Sequence, residues 1–183
     1  MTQAVISVLG QDRPGIIATV SEALLASECN IEGVSQTLLR AVFGALFVVA
    51  MPDDLDAETL AGRLAAAVEG MELDVIVHAY PATSDVAPPP AEPFVVTTHG
   101  PDRRGAVAAL SGVLARHGVN VTDLQAVFEG GERPESNVMI FQVDVPDTVA
   151  LPDLKRELGA TAERLGIELN IQHRRLFEIM NRV

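Results

Sequence analysis

Two spacings of apolar residues take turns along the chain. Ala4 to Leu9 is a short, mostly apolar run of the kind that fills a sheet centre, and it closes at Gly10. From Pro14 the spacing becomes three and four, through Ile17, Val20, Ala23, Leu24 and Ser27, which predicts a helix with Pro14 suited to its first turn. Ile31 to Leu39 and Phe43 to Met51 are β-rich runs on either side of Arg40, Ala41 and Val42, so they can pair as a hairpin. Asp54 or Asp56 then opens a second helix that puts Leu60, Leu64 and Val68 on one stripe. Leu73, Val75, Val77 and Ala79 alternate as a last strand, so the predicted order is βαββαβ.

Sliding the sequence along itself by 90 positions sets Gly10, Asp12, Arg13 and Gly15 over Gly100, Asp102, Arg103 and Gly105, and Asn30 over Asn120. The apolar stripes follow the same offset, with Val20 over Leu110, Leu24 over Leu114 and Ile31 over Val121. The chain is therefore a duplication. Copy two reads as a strand from Phe94 to His99, a helix carrying Val107, Leu110 and Leu114, and strands from Val121 to Phe128 and from Val138 to Val145. Between those strands Glu129 to Ser136, EGGERPES, lengthens the hairpin tip. Pro152 starts a helix with Leu154, Leu158 and Leu165, Gly166 ends it, and Ile167, Leu169 and Ile171 alternate. The tail residues Arg174, Arg175 and Arg182 flank Leu176, Phe177, Ile179 and Met180, which are expected to pack as a last strand with a short terminal segment, a protein-contact surface being the alternative.

The resulting expectation is an α+β fold of two ferredoxin-like modules, each a four-stranded antiparallel sheet with two helices on one face. The expected boundaries are a first module at 1–80, a linker at 81–93 and a second module at 94–183. Pro81 to Pro93, PATSDVAPPPAEP, has the composition of a semi-rigid spacer, because prolines remove backbone donors and favour extended geometry.

Charge narrows the function classes. The formal net charge is −12, and phosphate affinity needs clustered Lys and Arg, so direct nucleic-acid binding is not expected. Cys29 is the single cysteine, which rules out an intramolecular disulfide, and the start MTQAVISVLG has no basic segment followed by a signal-like apolar core. A cytoplasmic location and no membrane contact are expected, since no apolar run reaches about 18 residues.

Candidate chemistry centres on the turn Gly10-Gln11-Asp12-Arg13-Pro14-Gly15, which joins a strand end to a helix start. Helix N-termini present unpaired N–H groups and partial positive charge, so a carboxylate fits there. Gly15 has no side chain to keep a ligand from the amides around Ile16 and Ile17. Asn30, at the entry to the second strand, is expected close to this loop, where its side-chain oxygen could accept from a ligand ammonium group. Together these groups suit an α-amino acid. The same glycines and the same asparagine also serve simply to build the turns of the fold, and both readings stand at this point.

Other residues carry less. Cys29 beside a helix end reads as a small buried apolar residue. His99 and Asp102 lie near Thr97, Thr98 and Ser111 without the spacing of a nucleophilic triad, so no enzyme activity is expected. His78, His99, His117 and His173 have no ligand spacing, so neither a metal nor another cofactor is expected. The Gly10 to Gly15 spacing is similar to a phosphate loop, but no Lys and Ser/Thr follow it.

Gln11 to Ile16, QDRPGI, followed by Cys29 to Glu32, CNIE, resembles the ACT domain, and with the tandem arrangement and Pro-rich linker it resembles the glycine cleavage system transcriptional repressor family. The resemblance implies a regulator that senses glycine or another small amino acid between ACT modules near these turns and restrains a DNA-binding activator protein by contact. It points to Asp12, Arg13, Gly15, Ile16, Asn30 and Ile31 in copy one, and to Asp102, Gly105, Asn120 and Val121 in copy two. Copy two departs from the pattern, with Arg104 in place of the Pro and Ala106 in place of the Ile. GPDRRG followed by NV also resembles the ACT modules of formyltetrahydrofolate deformylase and of the uridylyltransferase that senses glutamine, which leaves the choice of amino acid open. A homodimer is expected. The alternative reading is a ligand-free ACT oligomerisation or interaction module, or the regulatory subunit of a metabolic enzyme.

Overall fold

The computed structural model describes residues 2–81, 89–127 and 137–180. The chain divides into two compact units, Met1–Val86 and Ala87–Val183, each with its own core.

In the first unit the order is β1 (Thr2–Gln11), α1 (Ile16–Ala26), β2 (Asn30–Leu39), β3 (Val42–Met51), α2 (Ala57–Ala67) and β4 (Leu73–Pro81). The strands form one antiparallel sheet in the order β2-β3-β1-β4. Alternation decides which side is core. Ala4, Ile6 and Val8 of β1 lie level with Val49, Phe47 and Ala45 of β3, and this set is buried under Ile16, Val20 and Leu24 of α1 and Leu60 and Leu64 of α2. Both helices therefore cover the same sheet face, as the helical stripes require. Asp56, not Asp54, is the N-cap of α2, its carboxylate accepting from the Thr59 N–H at 2.7 Å. Arg40, at φ +58°, takes the left-handed conformation that a two-residue hairpin turn demands.

The second unit repeats the plan. It runs β5 (Ala91–Gly100), α3 (Ala106–Arg116), β6 (Asn120–Val127), β7 (Asn137–Pro146), α4 (Leu151–Leu165) and β8 (Glu168–His173), with sheet order β6-β7-β5-β8. Phe94, Val96, Phe141 and Val143 pack against Leu110, Leu114, Leu154 and Leu158. Gly166 ends α4 at φ +66°.

Four details differ from expectation. Pro14 precedes α1 instead of entering it, because Gly15 sits at φ +97° as the N-cap and helical geometry begins only at Ile16. β5 begins at Ala91, so the last three residues assigned to the linker are strand. Pro93 is tolerated there because pairing to β8 starts only at Phe94, leaving that side of the strand open. In both copies a β-bulge interrupts the edge strand just after the asparagine, between Ile31 and Gly33 and between Val121 and Asp123. Finally, Arg174–Met180 is a helix, α5, where a strand was expected. The Arg175 N–H bonds the His173 ring nitrogen as the chain turns out of β8. Phe128, the EGGERPES segment and Arg182 lie outside the described residues.

Candidate functional site

The β1–α1 turn is held from two sides. The Asp12 N–H donates to the Ala41 carbonyl at 3.1 Å, tying the turn to the tip of the β2–β3 hairpin. The Arg13 guanidinium reaches the other way, donating to the Gly70 carbonyl at 3.2 Å and pairing with Glu72 at 3.4 Å just beyond α2. Copy two repeats this second tie: Arg103 Nε donates to the Leu165 carbonyl, the last residue of α4, at 3.0 Å. A guanidinium at a helix C-terminus satisfies carbonyls that have no partner within the helix. Arg13, which reads from sequence as a ligand contact, and Arg103 thus both tie the turn to the end of the helix behind it.

Inside the turn, Gly15 and Gly105 adopt φ +97° and φ +86°, and a Cβ built on either would meet nothing within 4 Å. Neither cap residue has a side chain that could accept from the first-turn N–H groups. The ends of α1 and α3 therefore lie beneath open space, the arrangement a carboxylate needs, but in α3 the Ala106 N–H already donates to the Arg103 carbonyl at 3.0 Å, so there a ligand has only the amides that follow. Asp12 and Asp102 are exposed on the rim. Ile16 is 2% exposed and belongs to the core, so its backbone N–H is what it can offer a ligand.

The two copies differ below the turn. In copy two Thr98, Gly100, Asp102, Arg103, Ala106 and Asn137 line a small hollow of about 10 Å³, close to the room one water needs. Thr98 and Asn137 are buried polar residues. The equivalent positions in copy one are Val8, Ile16 and Phe43, all buried and apolar. Ala106 in place of an isoleucine opens the hollow. The copy that departs from the family pattern therefore gains polar side chains at its turn, a feature sequence spacing does not signal.

The structure does not bring the asparagine to the turn. β2 runs parallel to β1, so Asn30 lies level with Ala50 and hence with Gln3, at the start of β1, while the turn follows Gln11 at its other end. Eight residues of strand at about 3.3 Å each separate the two levels by about 26 Å. Asn120 stands at the same end of its own module, level with Asp144. One amino acid cannot touch both ends. Ile31 and Val121 sit beside these asparagines at the bulges, Ile31 exposed and Val121 half-buried.

Cys29 is buried, and its thiol rests 3.6 Å from the Ser27 carbonyl. Burial pushes its pKa up, with a smaller opposing pull from the Arg63 charge, so it is not poised as a nucleophile. Among the described residues no group of three or more His, Cys, Asp or Glu could hold a metal ion, and no helix is long and apolar enough to cross a membrane.

Comparison with known proteins agrees with the two repeated modules of the fold. The ACT domain pattern matches the chain twice, at residues 2–78 and 92–172. The chain is 42% identical over 79 residues to the UPF0237 protein of Methanopyrus kandleri, a match covering 43% of this chain and 88% of that protein. That relative therefore corresponds to a single module. Over 168 residues the present chain is 24% identical to the glycine cleavage system transcriptional repressor of Escherichia coli, covering 92% of this chain and 86% of that one. A crystal structure of an unknown protein from Galdieria sulphuraria superimposes with a TM-score of 0.76 at 22% identity, covering 94% of this chain and 98% of the other. This last likeness concerns the fold alone.

Proposed function

Because the chain belongs to the ACT domain family and carries the domain twice, we propose that it is a non-catalytic regulator that binds a small amino acid at the β1–α1 and β5–α3 turns. One observation carries the reading. Both turns hold a left-handed glycine under open space at a helix N-terminus that no side chain caps, and both are braced by an arginine from behind. The ligand carboxylate takes the first-turn amides. Its ammonium group faces Asp12 or Asp102 on the rim. A small side chain suits the turns best, and glycine, the amino acid in the name of the Escherichia coli relative, is the first to test.

The output is a protein contact. With a net charge of −12, a regulator of transcription acts on a DNA-binding activator and not on DNA. The ligand set is Asp12, Gly15 and Ile16 in copy one and Asp102 and Gly105 in copy two, with Arg13 as a brace. Asn30, Ile31, Asn120 and Val121 stand too far from the turns of their own modules to share that ligand. Loss of response in Asn30→Ala means that they meet it from outside the module. A thermal-shift panel tests the proposal, since a ligand that binds only the native state raises stability as RT ln(1 + [L]/Kd). A selective rise with one small amino acid supports sensing, and a flat panel at millimolar concentration favours the ligand-free interaction module.

A further inference from the structure

On the reading that the turns take an amino acid, on which this inference rests, we propose that the β5–α3 turn reads the ligand's side chain and selects a hydroxymethyl group, as in serine, over glycine. Thr98 makes the selection. It is 3% exposed, points to the helix side of β5 with Phe94 and Val96, and lines the hollow below the turn. Its hydroxyl makes no hydrogen bond among the described residues. A buried hydroxyl left unpaired costs free energy, which a ligand group that reaches it recovers.

Ala106 joins the two parts of the site. It is the first residue of α3 and also a wall of the hollow, so the amides that follow it and the hollow lie within one helical turn, about 5.4 Å. With its carboxylate on those amides, a ligand needs only a short side chain to carry a hydroxyl towards Thr98. The volume of about 10 Å³ is close to that of one water-sized group, which admits a hydroxyl and excludes a carboxylate, an amide or a ring. A hydroxyl both donates and accepts, so it pairs with Thr98 whichever way the threonine hydroxyl is turned. A methyl group fits the same room but leaves Thr98 unpaired, and a site built to bond a hydroxyl discriminates against analogues that lack it.

The first turn has no such reader. Val8 and Ile16 stand where the second module has Thr98 and Ala106, and Phe43 stands in place of Asn137, all three buried. A hydroxyl pushed among them loses water and gains no partner. The duplication therefore keeps an open helix start in both modules and changes the chemistry beneath it.

Isothermal titration calorimetry of the full chain carrying Gly15→Ala, which fills the space over the first helix start, reads the second turn alone. Serine is expected to bind at least about tenfold more tightly than glycine or alanine. Adding Thr98→Val, the residue that the first module carries as Val8, keeps native circular dichroism and glycine binding and removes the preference for serine. Ala106→Ile, which restores the Ile16 of the first module, fills the hollow and also removes it. Serine that binds no more tightly than glycine and alanine, or a preference that Thr98→Val keeps, overturns the proposal and leaves amino-acid binding at the turns standing. A Gly15→Ala chain that takes none of the three, when the wild type takes one, overturns it too. A wild type that takes no common amino acid overturns the underlying reading as well.

Discussion

At the scale of single residues, the arginine brace is the feature with the most direct test. Arg103 has one contact that matters, Nε to the Leu165 carbonyl, so Arg103→Ala is expected to cost about 0.5–1.5 kcal/mol in urea unfolding. Arg103→Lys recovers only part of this, since a lysine lacks the Nε–H and the planar fork. The offset of 90 draws attention to Arg13 and Arg103, but their partners lie 57 and 62 residues away in sequence, and no local pattern tells an arginine that braces a turn from one that meets a ligand. Cys29 was legible as a packed residue. With its thiol buried and its pKa raised, it is expected to resist a thiol reagent at about pH 8 in the native protein and to react fully once unfolded in urea.

At the scale of elements, α3 and α4 are joined by a link that α1 and α2 do not repeat among the described hydrogen bonds. Glu157 of α4 accepts from Arg116 and lies 2.8 Å from the His117 ring nitrogen at the end of α3. The Arg116 hydrogen bond, then that of His117, holds the Glu157 carboxyl below its ordinary 4.5. A depressed folded pKa stabilises above the unfolded value, and that contribution disappears as pH falls through the depressed one. Glu157→Gln is therefore expected to melt below the wild type at pH 7 and to match it near about pH 3, a comparison that differential scanning calorimetry makes directly. Helix stripes and strand alternation were legible here because each element buries one face. The bulges after Asn30 and Asn120 were not, because an edge strand has no strict alternation to break. Nor was α5, which the tail's short mixed run of arginines and apolar residues does not separate from a strand.

At the scale of the whole molecule, duplication made the fold readable. Two copies of one order of elements left one architecture to consider, and the turns between them carried their own glycines. The site was only half readable. The turn could be found from Gly10 to Gly15, but placing Asn30 beside it ignored α1, whose eleven residues at about 1.5 Å each carry the chain about 17 Å back down the sheet. The differences between the copies matter as much as their likeness: one has a turn filled by apolar side chains, the other a hollow with polar side chains at its turn. Amino-acid sensing at those turns is the central claim, and a thermal-shift titration of the full chain with each common amino acid tests it most directly. For the wild type the account predicts a saturable rise of a few degrees with one small amino acid, glycine first. In the double variant Gly15→Ala, Gly105→Ala, which fills the space over both helix starts at roughly 1–2 kcal/mol of backbone strain per site, the protein still folds and the rise is gone. A flat wild-type panel, or a rise the double variant keeps in full, contradicts it.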